Sequence, residues 1–341
     1  MKNDGPMALA HDAAAASENL LSVRVNQVRF EARAIQSYEL VDPDGGQLPP
    51  FEAGAHIDVH LPNGLVRQYS ICSDPAHQHH YVIGVLRDES GRGGSRSIHE
   101  SLHVQDIVRI SAPRNNFRLR GGARKVLLLA GGIGVTPLKS MAHELERAGI
   151  DYELHYCAKD ASCTAFRDEF ASMAGSGRVR YHFDAGVPGQ GLDIGALLGT
   201  PLPDTHVYYC GPAGFMKACA ASTLSWPAGA VHCEHFKAPA AADPNRQGAA
   251  PQPPAGTFVI RLRSTGARVD VGPEQSMVDA LQCADVHVAT SCSSGLCGTC
   301  KVRYLSGTID HRDFILGAQE QAEFLTACVS RATSAEVELD L

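Results

Sequence analysis

The 341-residue sequence has no apolar run approaching the roughly 18 residues of a membrane-spanning helix, so no membrane partner is expected. Residues 1–18 lack both the basic start and the apolar stretch of a secretory signal, and residues 1–20 read as a loose tail. Massed cations are missing as well: 30 Lys and Arg stand against 37 Asp and Glu, for a net charge of −7. Affinity for a phosphate backbone comes from clustered Lys and Arg, so no nucleic acid partner is expected. The eleven cysteines are odd in number and mostly scattered, which argues against a disulfide framework and for a reducing, cytoplasmic setting.

The length exceeds what one hydrophobic core serves, and the pattern changes twice along it. From residue 21 to about 119, short β-branched or alternating runs at 22–29, 56–61, 66–71, 81–86 and 107–111 are broken by turn residues. Such spacing predicts an antiparallel β-barrel over residues 21–120. Then 125–130 is a continuous apolar strand, a glycine-rich turn follows, and 138–148 has helical periodicity. Further apolar runs at 152–157, 179–183 and 207–210 complete an α/β unit with a parallel sheet over 121–237. Residues 238–256 hold seven Ala, five Pro and two Gly, a linker composition. Beyond it, 257–263 and 268–271 read as a hairpin, 276–283 as a helix and 301–305 as a strand, giving a small α+β unit over 257–341. The expected fold class is thus multidomain: antiparallel barrel, α/β parallel sheet, α+β.

Cys292, Cys297, Cys300 and the distal Cys328 are spaced C-x4-C-x2-C…C, the plant-type [2Fe–2S] pattern. Iron in such clusters is held by soft, anionic sulfur, and a compact loop can present three thiolates to one cluster. Gly295 and Gly298 let that loop wrap tightly and turn backbone N–H groups toward the sulfurs. A zinc site or a set of buried thiols is the alternative for C-x2-C alone, but accounts for neither the x4 spacing nor the distal cysteine. Cys72, Cys157, Cys163, Cys219, Cys233 and Cys283 show no such arrangement and are expected to pack in apolar cores.

Arg67-Gln-Tyr69-Ser70 closes a barrel strand, and a loop with Gly93, Gly94 and Ser95 precedes a helix expected at 97–103. Arg67 can pair bidentately with phosphate oxygens, and the loop and helix start offer N–H donors to the same dianion, which suits a flavin phosphate. Tyr69 offers a ring face to an isoalloxazine and Ser70 a hydroxyl to a flavin nitrogen. Taken alone, the same residues also fit an ordinary strand and a solvent loop.

Gly131, Gly132, Gly134, Thr136 and Pro137 follow the 125–130 strand and open a helix, where a pyrophosphate meets a helix N-terminus. The run departs from G-x-G-x-x-G, so a plain strand–helix turn stays open. Cys210, Gly211 and Pro212 end another strand; Cys210 borders a nicotinamide or is a core cysteine. Ser70 and Cys210 are therefore the candidate catalytic groups. Asp160, at the end of the 152–157 run, can accept from a free ribose 2′-hydroxyl and favours NADH, whereas Lys159 keeps NADPH open.

Three motifs are set aside. His99-Glu-Ser-Leu-His103 matches H-E-x-x-H but has no third ligand downstream and lies where the flavin-phosphate helix belongs. Cys233-Glu-His235 is half a Rieske pattern with no C-x2-H to complete it. His77, His79 and His80 read as a solvated loop.

Taken together these runs resemble the ferredoxin–NADP reductase superfamily, most closely its phthalate dioxygenase reductase branch, which includes vanillate demethylase reductases. The likeness runs from about residue 21 to the C-terminus, in the order FMN-binding barrel, NAD-binding domain, plant-type ferredoxin domain of β-grasp fold. The resemblance implies FMN at Arg67, Tyr69, Ser70, Gly93, Gly94 and Ser95, and NADH at Gly131 to Pro137 and Cys210 to Pro212. It further implies that Phe236 is an aromatic near the flavin. The implied activity is an NADH-dependent oxidoreductase passing electrons through FMN and a [2Fe–2S] cluster to a Rieske non-haem iron oxygenase. NADH gives up two electrons as hydride, a cluster takes one at a time, and a flavin does both. An electron-carrier or redox-sensing module, or a reductase for another acceptor protein, is the alternative. The oligomeric state is left open, a monomer included.

Overall fold

A computed structural model describes residues 20–91, 93–187, 189–237, 256–290 and 292–341; the expected tail and linker, save for their last residues, lie outside the described residues. The first unit holds β1 (Leu21–Ala32), β2 (Ile35–Val41), β3 (His56–His60), β4 (Val66–Ser70), β5 (His80–Leu86), α1 (Gly94–Ser101) and β6 (Ile107–Ile110). The strands run β4-β3-β6-β1-β2-β5, and a bridge between Ile71 and Ile83 joins the two ends, closing an antiparallel barrel. Val23, Val25, Tyr38, Leu40, Ile57 and Val59 fill its interior, the alternate positions that a closed sheet turns inward. Strand β2 is absent from the runs named above because Gln36, Ser37 and Glu39 interrupt its apolar residues. Tyr38 and Leu40 nevertheless point into the barrel, while Glu39 accepts from Asn26 Nδ2 at 2.7 Å. Helix α1 occupies Gly94–Ser101 rather than 97–103: Gly93, at φ +80°, turns the chain into it, and extended Leu102 leaves it to bury in the barrel core.

The second unit comprises β7 (Lys125–Gly131), a 3-10 turn at Gly132–Gly134, α2 (Val135–Ala148), β8 (Asp151–Ala158), α3 (Ala171–Gly175), β9 (Val179–Phe183), α4 (Ile194–Leu198), β10 (Thr205–Cys210), α5 (Ala213–Ser222) and β11 (Val231–Glu234). All pairings in the sheet β11-β10-β7-β8-β9 are parallel. Val126, Leu128 and Ala130 of central β7 pack with α2, whereas Leu127 and Leu129 pack with α4 and α5, which is why that strand reads as an unbroken apolar run. Helix α2 starts at Val135, three residues before 138; Pro137 sits in its first turn, where a missing N–H breaks no hydrogen bond.

The third unit holds β12 (Phe258–Leu262), β13 (Arg268–Val271), α6 (Met277–Cys283), β14 (Lys301–Ser306), β15 (Ile309–Asp310), α7 (Ala318–Gln321), β16 (Phe324–Thr326), β17 (Arg331–Ala332) and β18 (Glu336–Leu339). Its sheet runs β13-β12-β18-β14-β16, with β12 and β18 parallel, and α6 packs Met277 and Leu281 against Ile260, Val271 and Val337. This is the β-grasp expected of a ferredoxin unit. Ser276 and Asp279 cap α6 reciprocally. β18, Glu-Val-Glu-Leu, is too short and acidic to stand out in the sequence, yet it is the strand between β12 and β14.

Not all of the remaining cysteines are core residues. Cys72 and Cys219 are buried, but Cys157 and Cys163 are only half-buried, and Cys233 and Cys283 are exposed, one on the edge strand β11 and the other at the last residue of α6. No described helix is long and apolar enough to cross a membrane.

Candidate active site

All three units contribute to one cleft of about 690 Å³. The barrel supplies Arg67, Tyr69 and Ser70 from β4 and Gly94 and Ser95 from the start of α1. The parallel-sheet unit supplies Ile133, Thr136 and residues 234–237, and the third unit supplies Cys292, Ser294 and Leu296. The volume lies in the range of small-molecule cofactor sites.

On the barrel wall, a Cβ at Gly94 would lie 2.4 Å from Arg67 Nε and 2.5 Å from its Cγ, so Arg67 reaches the N-terminus of α1 only because residue 94 is glycine. Arg67 Nη1 also donates to the Val66 carbonyl at 2.8 Å. The Asp88 N–H donates to Ser95 Oγ at 3.0 Å, and Lys237 Nζ pairs with the Asp88 carboxylate at 2.5 Å. This is a cradle for a dianion, with a fixed cation and a helix N-terminus facing the same space. Tyr69 lies beside it, its hydroxyl kept neutral by burial.

Ser70 Oγ donates to Glu234 Oε2 at a long 3.5 Å, linking the barrel to the end of β11. Glu234 lines the cleft, but protein encloses its carboxyl, and that burial pushes its pKa up to about 8 from 4.5. The folded chain therefore keeps this proton between about pH 4.5 and 8, where the unfolded chain has lost it. Its contribution to stability is full below 4.5 and fades as pH rises through 8. Glu234→Gln should flatten the fall in melting temperature across that window; an unchanged pH dependence in the variant would remove Glu234 as its source.

The two glycine-bearing runs of the parallel sheet interlock. A Cβ at Gly134 would fall 2.2 Å from the Cys210 carbonyl oxygen, one at Gly131 2.8 Å from Pro212 Cδ, and one at Gly211 2.9 Å from Gly131 Cα. Gly132 takes φ +55° in the turn between them. Thr136 Oγ1 donates to the Ile133 carbonyl at 3.0 Å, and a Cβ at barrel residue Gly84 would meet its methyl at 2.9 Å. Pro137 is buried within α2. Cys210 is the cross-strand neighbour of Glu234, but its side chain is wholly buried, and burial drives its thiol pKa well up, leaving it protonated inside the sheet rather than on the cleft wall.

Asp160 stands at the end of β8 as anticipated, but it is already engaged. Its Oδ1 accepts from Ser162 N–H at 2.8 Å and Ser162 Oγ at 2.5 Å, and Arg33 of the barrel lies 3.5 Å from Oδ2. Phe236 lines the cleft and is 39% exposed; next to it, the His235 ring lies 6.0 Å from that of Phe314 in the third unit.

The four predicted cysteines come together. Cys297 lies within hydrogen-bond reach of Cys292, Cys300 within reach of Cys328, and Cys328 also within reach of Cys292. Among the described residues no group of three or more His, Cys, Asp and Glu is gathered for a single metal ion. The contacts link the four thiols in the order Cys297, Cys292, Cys328, Cys300, a set that could supply two protein ligands to each iron of a two-iron cluster. Leu296 N–H donates to Cys292 Sγ at 3.3 Å, as the tight loop was expected to allow. Gly295 and Gly298 adopt φ +71° and +75°, and a Cβ at Gly295 would meet Val329 at 2.8 Å. From the barrel, Asn116 Nδ2 donates to the Cys297 carbonyl at 2.9 Å, tying the cysteine loop to the cleft.

His80 opens β5 instead of lying in a solvated loop with His77 and His79, and the H-E-x-x-H run does not bring its histidines onto one helix. His99 Nε2 contacts the Val85 carbonyl at 2.9 Å, and α1 ends before His103. Sequence reasoning missed Glu234 and His56, both on the cleft wall. Glu234 stood inside the quoted Cys-Glu-His run, whereas nothing in the local sequence marks His56.

Residues 260–333 match the model of a 2Fe-2S iron-sulfur cluster binding domain. Over the whole chain, the tert-butanol monooxygenase / tert-amyl alcohol desaturase reductase subunit of Aquincola tertiaricarbonis is 51% identical, covering 94% of this chain and 96% of its own. The vanillate O-demethylase oxidoreductase of Pseudomonas sp. (strain HR199 / DSM 7063) is 44% identical over 94% of this chain and all of its own. A solved phthalate dioxygenase reductase, described as modular for electron transfer from pyridine nucleotides to [2Fe-2S], superposes with TM-score 0.72 at 40% identity, covering 95% of this chain and 98% of that one. With identity and coverage of this extent, the chain belongs to the phthalate dioxygenase reductase branch of the ferredoxin–NADP reductase superfamily, oxidoreductases that serve as the reductase components of oxygenase systems.

Proposed function

We propose that the chain takes a hydride from NADH and passes electrons singly, by way of FMN in the cleft and a [2Fe–2S] cluster on the cysteine loop, to a Rieske non-haem iron oxygenase. One observation carries this reading: Arg67, Tyr69 and Ser70 line the same cavity as Cys292, so the flavin wall and the cluster loop are neighbours. We assign residues 21–120 to the flavin unit, 121–237 to the nucleotide unit, 238–256 to a linker and 257–341 to the ferredoxin unit.

Arg67, Gly93, Gly94 and Ser95 would hold the flavin phosphate; Tyr69, Ser70 and Phe236 would flank its ring. Gly131, Gly132, Gly134, Thr136, Pro137, Gly211 and Pro212 form the shelf for the NADH pyrophosphate and nicotinamide, with Cys210 beneath it as a neutral thiol. Asp160 would favour NADH over NADPH by accepting from a free ribose 2′-hydroxyl, a contact that competes with its bonds to Ser162 and its pairing with Arg33. Cys292, Cys297, Cys300 and Cys328 would hold the two irons. When bound, FMN supplies the exchange between a two-electron donor and a one-electron cluster. Glu234 meanwhile keeps its carboxyl proton near neutral pH, with the Ser70 hydroxyl donating to Oε2. Because every station is on one chain, a monomer suffices, and scattered cysteines without a disulfide framework suit the cytoplasm.

The test is to mix the full chain with purified oxygenases, Rieske and haem types separately. Support is consumption of NADH and oxygen only when a Rieske oxygenase and the chain are both present. Coupling to a haem oxygenase alone would replace the acceptor, and no NADH oxidation with any acceptor would remove the activity.

A further inference from the structure

We propose that His56 is a flavin-contact residue, its buried imidazole hydrogen-bonding the ring system of the FMN held in the cleft. The inference rests on the reading above that this cleft binds FMN. His56 opens β3 directly opposite Ser70 in the antiparallel register, so the two side chains leave the same face of the barrel wall. It lines the cleft, yet it is 1% exposed, and among the described residues neither Nδ1 nor Nε2 has a hydrogen-bond partner. Buried polar side chains are nearly always paired, and an imidazole with both nitrogens unpaired at a cofactor cleft is positioned for a ligand.

The backbone of His56 is engaged, donating to the Arg114 carbonyl at 2.8 Å and accepting from Arg114 N–H at 3.0 Å, so its side chain is held in place. The charged groups nearby are Arg114 and Asp58, which form an ion pair with each other. Burial first, and then Arg114, lowers the imidazole pKa to about 4 against the opposing pull of Asp58, so near neutral pH it carries one N–H donor and one bare acceptor nitrogen. A neutral imidazole is ill suited to the phosphate, which Arg67 and α1 already serve. It suits the carbonyl and N–H edge of an isoalloxazine, beside the Ser70 hydroxyl.

The physics separates a ligand-directed histidine from a structural one. An unpaired buried imidazole destabilises the protein without its ligand, so an apolar replacement of similar size should leave the apoprotein at least as stable. We therefore expect His56→Leu, in the full chain stripped of FMN, to melt no lower than the parent. Its dissociation constant for FMN, read by quenching of flavin fluorescence, should rise about two- to twelvefold for a lost hydrogen bond. His56→Gln, which keeps a donor and an acceptor, should restore part of that affinity. If the parent binds no FMN, the flavin reading itself fails. If the parent binds and His56→Leu binds equally well, only the His56 inference fails. A His56→Leu apoprotein that melts lower, with no recovery of affinity by His56→Gln, would make His56 structural and overturn the inference as well.

Discussion

Cys300→Ser abolishes delivery of single electrons while sparing hydride transfer to the flavin. Cys300 is 2% exposed and lies within reach of Cys328, so its loss would remove one of the four thiolates that would hold the two irons. Serine offers a hard oxygen in place of a soft thiolate, and a cluster so deprived does not assemble or hold. Cys300 does not line the cleft, whereas Cys292 does, which makes Cys300 the cleaner choice: the flavin wall keeps every residue it had. Reduction of cytochrome c by the variant should fall to background, while anaerobic NADH still bleaches the flavin at the parent rate. A variant reducing cytochrome c at full speed would mean that electrons leave by another exit.

Gly94→Ala should strip the protein of most of its affinity for FMN. Gly94 does not have the positive φ of its neighbour Gly93, and alanine is a better helix former than glycine, so the backbone of α1 has no reason to object. The side chain does, because a Cβ there would sit 2.4 Å from Arg67 Nε and 2.5 Å from Arg67 Cγ. Arg67 must then withdraw from the helix N-terminus and take with it a charge-assisted pairing to phosphate. Losing that pairing, worth about 1.5–3 kcal/mol, raises the FMN dissociation constant on the order of ten- to a hundredfold. Equilibrium dialysis of parent and variant would show it, and equal constants would mean that Arg67 does not serve the phosphate. Arg67→Lys retains the charge but not the fork, and should fall between the two.

What could be read in advance was whatever lies close together along the chain. Three of the four cysteines share one loop, and Arg67, Tyr69 and Ser70 share one strand, so spacing alone announced their chemistry. The glycines of 131–134 were legible as a turn, but not the reason for each: Gly131 and Gly134 are small because Pro212 and the Cys210 carbonyl press against them from a distant strand. His56 and Glu234 were hidden for the same reason, since β3 and β11 become neighbours of β4 only in the folded barrel and across the unit boundary. Strand β18 escaped because its alternation, in which Val337 and Leu339 are fully buried and alternate with two glutamates, spans only four residues. Asp160 stands where the strand order places it, and the structure adds that Ser162 and Arg33 already occupy its carboxylate.

Pairwise contacts also explain how a unit attached through residues 238–256 stays near the flavin wall. Asn116 donates to the Cys297 carbonyl, and His235 meets Phe314 across the same boundary. These two contacts orient the cysteine loop toward the barrel and the parallel-sheet unit.

The most direct measurement is an anaerobic titration of the full chain, loaded with FMN and iron–sulfur cluster, with NADH. Uptake of three electrons per chain, from about 1.5 NADH, with flavin and iron–sulfur absorption bleaching together, is the expected result. Bleaching of the flavin alone at one NADH per chain, with the iron–sulfur bands unmoved even after long incubation, would contradict an electron path from the cleft to the cysteine loop.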